Sequence, residues 1–245
     1  MKRSMPFWIV GLALTSGLAL WLFLRSSPES DALRLRTLAT RALAEALVKQ
    51  QAGRRVLVVS NPFAQRSGVD KAIRATEAVG VRGLKEGFGN SMPMEPLAFP
   101  ALKPEAERDP RSVSIDPETT TPLSYLMAEG AFDALASAHP HCDLVVSLVG
   151  LPASLHREKC WQAEGPPRFG LLLPDLRPIG DAAAVRRAVK TGKLAAFVLQ
   201  KPGTPGNAAQ TGSDSAAEFA QRFLVVTAEN IDEVMRAFPQ LFPGN

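Results

Sequence analysis

The chain has 245 residues, of which 46% are hydrophobic and 21% charged. This composition is ordinary for a folded protein, and the length suits one medium-sized domain with an appendage. Of the net charge of +4, residues 1–27 supply +3, which leaves 25 basic and 24 acidic residues in the other 218. A nearly neutral body with a single tyrosine lacks the basic surface and the aromatic platform that nucleic acid requires, so nucleic-acid binding is not expected.

The most distinctive feature of the sequence is a run of 20 residues without a charge, 5–24, which follows Lys2 and Arg3 and precedes Arg25. At 1.5 Å per residue this run is long enough to cross the roughly 30 Å core of a bilayer. We therefore predict an uncleaved membrane anchor in preference to a cleaved secretory signal, whose apolar region is usually shorter, or a buried core helix. Because basic residues lie on both sides of the run, the distribution of charge does not decide its orientation in the membrane.

Helical and strand patterns alternate after this run. The first helix, capped by Ser27 with Pro28 at its first position, has an apolar face that we expect to pack on a sheet, with a coiled-coil stalk as the alternative. Long Val- and Leu-rich runs indicate strands buried on both faces. In chain order the predicted elements are helix 28–50, strand 54–63, helix 69–85, strand 94–100, an irregular loop or insertion 100–121, helix 122–138, strand 142–150, helix 153–161, strand 168–176, helix 180–193, strand 194–202, loop 203–215, extended segment 222–230 and helix 231–238.

This alternation predicts an α/β fold: a single doubly wound, mostly parallel five-stranded sheet of Rossmann-like type after an N-terminal transmembrane helix. The expected domains are the anchor, residues 1–27, and one α/β lobe, residues 28–245.

The lobe resembles the C-terminal lobe of type I periplasmic sugar-binding proteins. Four stretches in the order of that family carry the resemblance: "LATRALAEALVKQQAGRRVLVVS", "AFDALASAHPHCDLVVSLVG", "AVRRAVKTGKLAAFVLQKPG" and "LVVTAENID". The resemblance implies a fold that closes over a small solute together with a second lobe. Here the first lobe is missing, and the apolar run stands nearly where it would join. Since the family is exported, the resemblance favours a body outside the cytoplasm.

The resemblance also implies ligand positions. Gln200 matches the glutamine that follows a strand of the family, and Asp175 is the counterpart of its aspartate, although Asp175 follows "LLLP" and has no glycine beside it. Val149-Gly150 stands where the family has a polar pair, and Arg66, Arg74 and Arg82 are all candidates for its arginine. Independently, ligands of open parallel sheets bind at the carboxyl ends of the strands.

Asn61, Asp175 and Gln200 all follow predicted strands, so these three are the candidate ligand-binding residues. The alternative is that Asn61 and Asp175 are ordinary turn residues and that Gln200 pairs with the backbone. We expect no cofactor.

Without a second lobe, the carboxyl ends of the strands must be wet, covered by the chain's own loops, or covered by a partner. If the loops 100–121 and 203–215 leave them bare, Phe63, Val149, Leu151 and Leu176 would form an apolar interface. The leading functional hypothesis is a non-catalytic, membrane-anchored interaction module that binds another envelope protein or its own copy. The alternative is a solute-binding protein that retains affinity for a sugar or another small molecule.

Metal binding and catalysis find little support in the sequence. All histidines and cysteines lie in 139–160, but His139, His141 and Cys142 precede a predicted strand while His156 and Cys160 follow it. The two groups should therefore lie too far apart to share a zinc ion or a disulfide, and no metal site is expected. No nucleophile-elbow or phosphate-binding motif occurs, so an enzyme is the weakest hypothesis.

A topology reporter tests the predicted anchor and its orientation. A reporter that is active only in the cytoplasm, fused after Asn245, should be inactive in cells, because the body is expected outside the cytoplasm. Activity of that fusion would contradict the orientation. A soluble mature form that begins near Ser26 would indicate a cleaved signal instead of an anchor.

Overall fold

The computed structural model describes residues 28–204 and 215–244. The apolar run 5–24 and most of the loop 203–215 lie outside these residues. Within the part of the chain that is described, no helix is long and apolar enough to cross a membrane.

The architecture is an α/β fold around a five-stranded sheet with the order β1-β2-β3-β4-β5. The first four strands are parallel, and β5 pairs with β4 antiparallel. The strands are β1 Val56–Val59, β2 Leu144–Ser147, β3 Arg168–Leu172, β4 Leu194–Gln200 and β5 Phe223–Thr227. The helices are α1 Pro28–Gln51, α2 Lys71–Phe88, α3 Pro104–Arg108, α4 Leu123–Leu126, α5 Ala131–Ala138, α6 Lys159–Gln162, α7 Ala182–Lys190, α8 Ser215–Arg222 and α9 Ile231–Ala237.

Helices cover both faces of the sheet, which confirms the predicted doubly wound class. On one face, the apolar side of α1 and the end of α2 pack against alternate strand residues such as Val58 and Val146. On the other face, α5, α7 and α9 pack against the intervening residues, among them Phe169 and Phe197. The continuous Val and Leu runs of the strands are therefore buried on both sides, as expected for parallel strands between helical layers.

The predicted strand 94–100 forms only single parallel bridges to β1, at Met94 and Ala98. These bridges place residues 94–98, here called the edge segment, beside the outer edge of β1. The chain therefore leaves β1 for this outer edge and then returns to β2, which pairs with the opposite edge of β1. The crossover creates a topological switch point between β1 and β2.

The single helix predicted over 122–138 is wrong, because the structure divides it into α4 and α5. Met127 leaves the helix to form an antiparallel bridge with Leu102, and Ala128 N donates to Ala101 O at 2.9 Å. Gly130 then adopts a φ of 75° directly before α5 begins. Pairing with a segment 25 residues away in sequence thus overrides the local helical pattern.

A close helix–helix approach explains why α2 continues through its glycines. A Cβ atom at Gly83 would lie 2.1 Å from Thr40 Oγ1 and 2.5 Å from Thr37 O, both on α1. Backbone atoms cannot move aside as a flexible side chain can, so glycine at this position allows α1 and α2 to pack in contact.

We therefore expect Gly83→Ala to lower the free energy of unfolding by about 1–3 kcal/mol, as overpacking does in dense cores. The better helix propensity of alanine offsets only part of this cost. Urea unfolding of the body measures the change. Arg82→Ala, at the neighbouring exposed position, is the control and should change stability by less than about 0.5 kcal/mol. Equal stability of the two variants would show that α1 and α2 are not in contact here.

Candidate functional site

Because β1 to β4 are parallel, their carboxyl ends share one edge of the sheet, here called the carboxyl edge. Asn61 follows β1, Gly150 lies just beyond β2, Asp175 follows β3, and Gln200 is the last residue of β4. The candidate ligand residues thus share an edge, but their local environments differ.

A buried polar network lies next to the switch point and includes the side chain of Ser60 and the backbone N–H of Asn61. Arg36 on α1 pairs with Glu77 on α2, with Nη2 3.0 Å from Oε1. Glu77 Oε2 accepts hydrogen bonds from Ser60 Oγ at 2.5 Å and from the backbone N–H of Asn61 at 3.2 Å. Burial lowers the pKa of Arg36 against the opposing effect of Glu77. Asn61 itself caps a short 3-10 helix by accepting from Phe63 N at 2.9 Å, so its amide oxygen has a structural role.

Residues 100–127, here called the covering segment, lie over the carboxyl ends of β2 and β3. Thr119 Oγ1 donates to Asp175 Oδ2 at 2.8 Å. Asp116 Oδ2 lies 2.8 Å from Arg177 Nη1, and Ala153 N donates to Ser124 O at 2.9 Å. The irregular segment predicted over 100–121 is therefore an ordered cover that is fixed by hydrogen bonds and ion pairs.

This cover accounts for the predicted interface residues. Val149, Leu151 and Leu176 are buried in the main core. Phe63 is half-buried and packs against a small cluster formed by Leu102, Ala106 and Leu126 of the covering segment. The chain's own loop thus covers these side chains, so they do not form the exposed apolar rim that bare strand ends would have produced.

The geometry also explains why glycine follows Val149. Gly150 has a φ of 81°, and a Cβ atom there would lie 3.0 Å from the Thr121 side chain. Its carbonyl oxygen accepts from Ser147 Oγ at 2.6 Å. The backbone conformation and the covering segment leave no room for a polar side chain at this position.

Asp175 is the best-connected carboxylate of the carboxyl edge and is only 8% exposed. It accepts from Arg177 through the backbone N–H at 3.0 Å and through Nη2 at 2.6 Å, in addition to the hydroxyl of Thr119. Burial by itself would raise the pKa of Asp175, but these hydrogen bonds outweigh burial and lower it. Asp175 is therefore an anion at neutral pH, and Asp175 in turn raises the pKa of Arg177.

Asp175 and Gln200 line the same cavity, of about 480 Å³, at the carboxyl edge. Gln200 is exposed, and its Nε2 donates to Thr204 Oγ1 at 3.0 Å. Asn61 is not among the residues of this cavity. The lining residues are Glu118, Thr120, Leu173, Pro174, Asp175, Leu176, Arg177, Leu199, Gln200, Gln240, Leu241, Phe242 and Pro243.

One cavity residue has a strained backbone. Leu173 has a φ of 44°, a left-handed conformation that costs a non-glycine residue of order 1–3 kcal/mol. Its N–H donates to Val198 O at 3.0 Å, which fixes the turn that carries Pro174 and Asp175 into the cavity wall. Strain of this kind concentrates at functional sites.

Sequence reasoning does not identify Arg177 or the C-terminal segment 240–243 as part of the cavity. The only sequence signal for Arg177 is its position two residues after Asp175. Of the arginines considered from the resemblance, Arg66 and Arg74 donate to backbone carbonyls of Glu107 and Val69, and neither lines the cavity.

A second cavity, of about 670 Å³, lies beside the start of β3 and the α7–β4 turn and includes Trp161, Arg168, Arg187 and Lys193. The Nζ atom of Lys193 donates to Ala163 O and Gly165 O, and burial lowers its pKa. Helix α7 ends here, so the negative end of its dipole lies beside these basic side chains. No candidate ligand residue from the sequence lies in this cavity.

The histidines and cysteines fall into separate groups, as their spacing predicts. One group brings together His139, His141 and Cys142, and Cys160 lies in another with Asp133 and Glu158. Cys142 and Cys160 are both free thiols.

No protein-family model and no curated protein matches the chain. Among solved structures, similar ones include a carbohydrate transporter from Acidothermus cellulolyticus 11B in complex with myo-inositol, at 15% identity and a TM-score of 0.46, over 84% of this chain and 62% of that one. A periplasmic ribose ABC transporter from Conexibacter woesei is 13% identical with a TM-score of 0.45, over 82% of this chain and 60% of that one. The glucose-galactose binding protein GanP from Geobacillus stearothermophilus is 17% identical with a TM-score of 0.43, over 82% and 61%. The chain thus spans about three fifths of the length of these proteins.

The hydrogen bond from Thr119 predicts how the covering segment is held. Thr119→Val removes a bond to a charged acceptor, worth about 1.5–3 kcal/mol. Local opening of residues 110–127 should therefore become at least about tenfold more frequent. Hydrogen–deuterium exchange on peptides from this region measures the opening. Thr120→Val, at the adjacent exposed residue, is the matched control, and an equal effect of both variants would contradict the assigned role of Thr119.

Proposed function

We propose that this domain binds a small, hydroxyl-rich solute in the cavity at the carboxyl edge. The observation that carries the proposal is that Asp175 and Gln200, two of the three ligand residues that the sequence predicts, line one cavity of about 480 Å³. Small-molecule sites commonly measure about 300–1,000 Å³ and combine apolar walls with a few polar groups.

The lining chemistry supports a polyol or sugar over an apolar ligand. Gln200 and Gln240 supply amide donors and acceptors, and Arg177 supplies donors beside the Asp175 carboxylate. Leu199 and Leu241 contribute apolar surface that suits the C–H faces of a sugar ring. A solute hydroxyl can donate to a carboxylate and accept from a guanidinium at once, so the Asp175–Arg177 pair would serve both roles of one hydroxyl group.

The described residues form one lobe, which would contact a ligand from one side. It buries less of the solute than a closed two-lobe site does, so we expect affinity in the micromolar range or weaker. A second lobe contributed by a partner would raise the affinity by completing the enclosure.

The second candidate is a non-catalytic, membrane-anchored interaction module that binds another envelope protein or a second copy of this chain. One observation favours it: the carboxylate oxygens of Asp175 already accept hydrogen bonds from Arg177 and Thr119. A ligand would have to compete with these intramolecular partners. In both candidates residues 5–24 anchor the protein in a membrane, with the folded body on the extracytoplasmic side.

Calorimetric titration of the body with a panel of sugars, polyols and nucleosides tests the proposal. We expect at least one solute to bind with micromolar affinity, and Gln200→Ala should weaken that binding at least about tenfold, since the variant removes one polar ligand contact.

Two control variants sharpen this test. Gln65→Ala changes the same residue type at an exposed position away from the cavity, and Asn61→Ala removes the predicted ligand residue that is not among the cavity residues. Both should bind the solute as the unaltered protein does. Undiminished binding by Gln200→Ala would refute the assigned site. A failure of all solutes to bind, combined with copurification of a fixed partner from membranes, would favour the interaction module.

A further inference from the structure

The turn between α5 and β2 gathers three side chains that can coordinate a metal. It consists of the four residues His139, Pro140, His141 and Cys142, and Cys142 N donates to His139 O at 3.0 Å. This hydrogen bond closes a β-turn whose second position is a proline, which restricts the backbone before any ion binds. One ligand atom from each of the two imidazoles and the thiol lies within 4.8 Å of the others.

A carboxylate from a distant part of the chain completes the arrangement. Glu95, on the edge segment, has Oε1 3.3 Å from His141 Nε2 and 2.9 Å from Arg55 Nη1. A carboxylate on one ring nitrogen is the arrangement that orients a histidine for a metal held by the other nitrogen. Glu95 is itself held by Arg55, so the orientation of His141 is set from outside the turn.

The second cluster of potential ligands, Asp133, Glu158 and Cys160, does not have this character. Glu158 accepts from the backbone N–H groups of Gly130 and Asp133, both at 2.9 Å. Asp133 accepts in return from Lys159 N at 2.9 Å and Cys160 N at 2.7 Å. These carboxylates cap the starts of α5 and α6, which explains the burial of Glu158 without an ion.

We propose that His139, His141 and Cys142 form a zinc site in which Glu95 orients His141. Since His141 is exposed, the fourth coordination position would be left to solvent. Two imidazoles and a thiolate suit Zn²⁺ and are poor ligands for Mg²⁺ or Ca²⁺, which prefer oxygen. Zinc–nitrogen bonds of about 2.0–2.1 Å and a zinc–sulfur bond of about 2.3 Å place tetrahedral ligand atoms roughly 3.5 Å apart. Zinc binding would therefore require the histidine side chains to rotate and bring the ligand atoms closer together.

This proposal differs from the expectation that the chain has no metal site. The distance between the two ends of a strand prevents all five histidines and cysteines from sharing one ion, and the structure indeed keeps them in separate groups. That distance does not separate His139, His141 and Cys142, because all three lie in one four-residue turn. The site lies at the amino end of β2, away from the solute cavity, and it would link the edge segment to the α5–β2 turn.

Metal titration of the full chain, purified with a chelator and then freed of it, tests the site. We expect one Zn²⁺ per chain, a higher thermal unfolding temperature with zinc, and, with Co²⁺ as the probe, the absorption of a tetrahedral site together with a thiolate charge-transfer band. Cys142→Ser should abolish the thiolate band and weaken Zn²⁺ at least tenfold. His139→Gln should weaken Zn²⁺ binding similarly but keep the thiolate band. Glu95→Gln should lower the affinity for Zn²⁺ about tenfold.

The chain offers matched controls, because His156→Ala and Cys160→Ser change the same residue types outside the cluster. Both should bind Zn²⁺ as the unaltered protein does, and circular dichroism confirms that each variant is folded. The proposal is overturned if Co²⁺ gives no thiolate band, if His139→Gln and Cys142→Ser bind Zn²⁺ unchanged, or if the control variants lose it. These outcomes are independent of solute binding.

Discussion

The structure of the carboxyl edge depends on the interaction between Asp175 and Arg177. The carboxylate fixes the guanidinium, and the guanidinium in turn pairs with Asp116 at 2.8 Å. Thr119 adds a direct hydrogen bond from the covering segment to Asp175. These contacts hold the covering segment over the strand ends, bury the apolar residues beyond β2, and form one wall of the cavity. An ionised, desolvated carboxylate is stable here only because its donors are supplied by the same chain.

The regular part of the fold can be predicted because local patterns and burial agree there. Helix α1 ends at Gln51, within one residue of its predicted end, and β4 begins at Leu194 as predicted. The break between α4 and α5 cannot be predicted, because it arises from pairing between Leu102 and Met127. Backbone hydrogen bonds to a distant irregular segment leave no periodic signal in the sequence.

The candidate site is partly predictable for a similar reason. Parallel strands end at a common edge, so Asp175 and Gln200 can be expected near each other. The sequence does not show that Asn61, unlike Asp175 and Gln200, lies outside the cavity. Its role as a cap depends on the local turn and on Glu77 of α2. The contributions of Gln240 and Glu95 depend on long-range packing, which no spacing in the sequence encodes. The length of β2 separates Cys142 from His156 and Cys160. It gives no information about His139 and His141, which lie near Cys142 in the turn before that strand.

The central claim is that the cavity beside Asp175 and Gln200 binds a small polar solute. Nuclear magnetic resonance of the isotope-labelled body, recorded while sugars and polyols are added, tests this claim most directly. We expect the resonances that shift to be the backbone amides of residues 173, 175–177 and 240–242 and the side-chain amide of Gln200. Shifts confined to another surface, or no shifts with any solute at millimolar concentration, would contradict it.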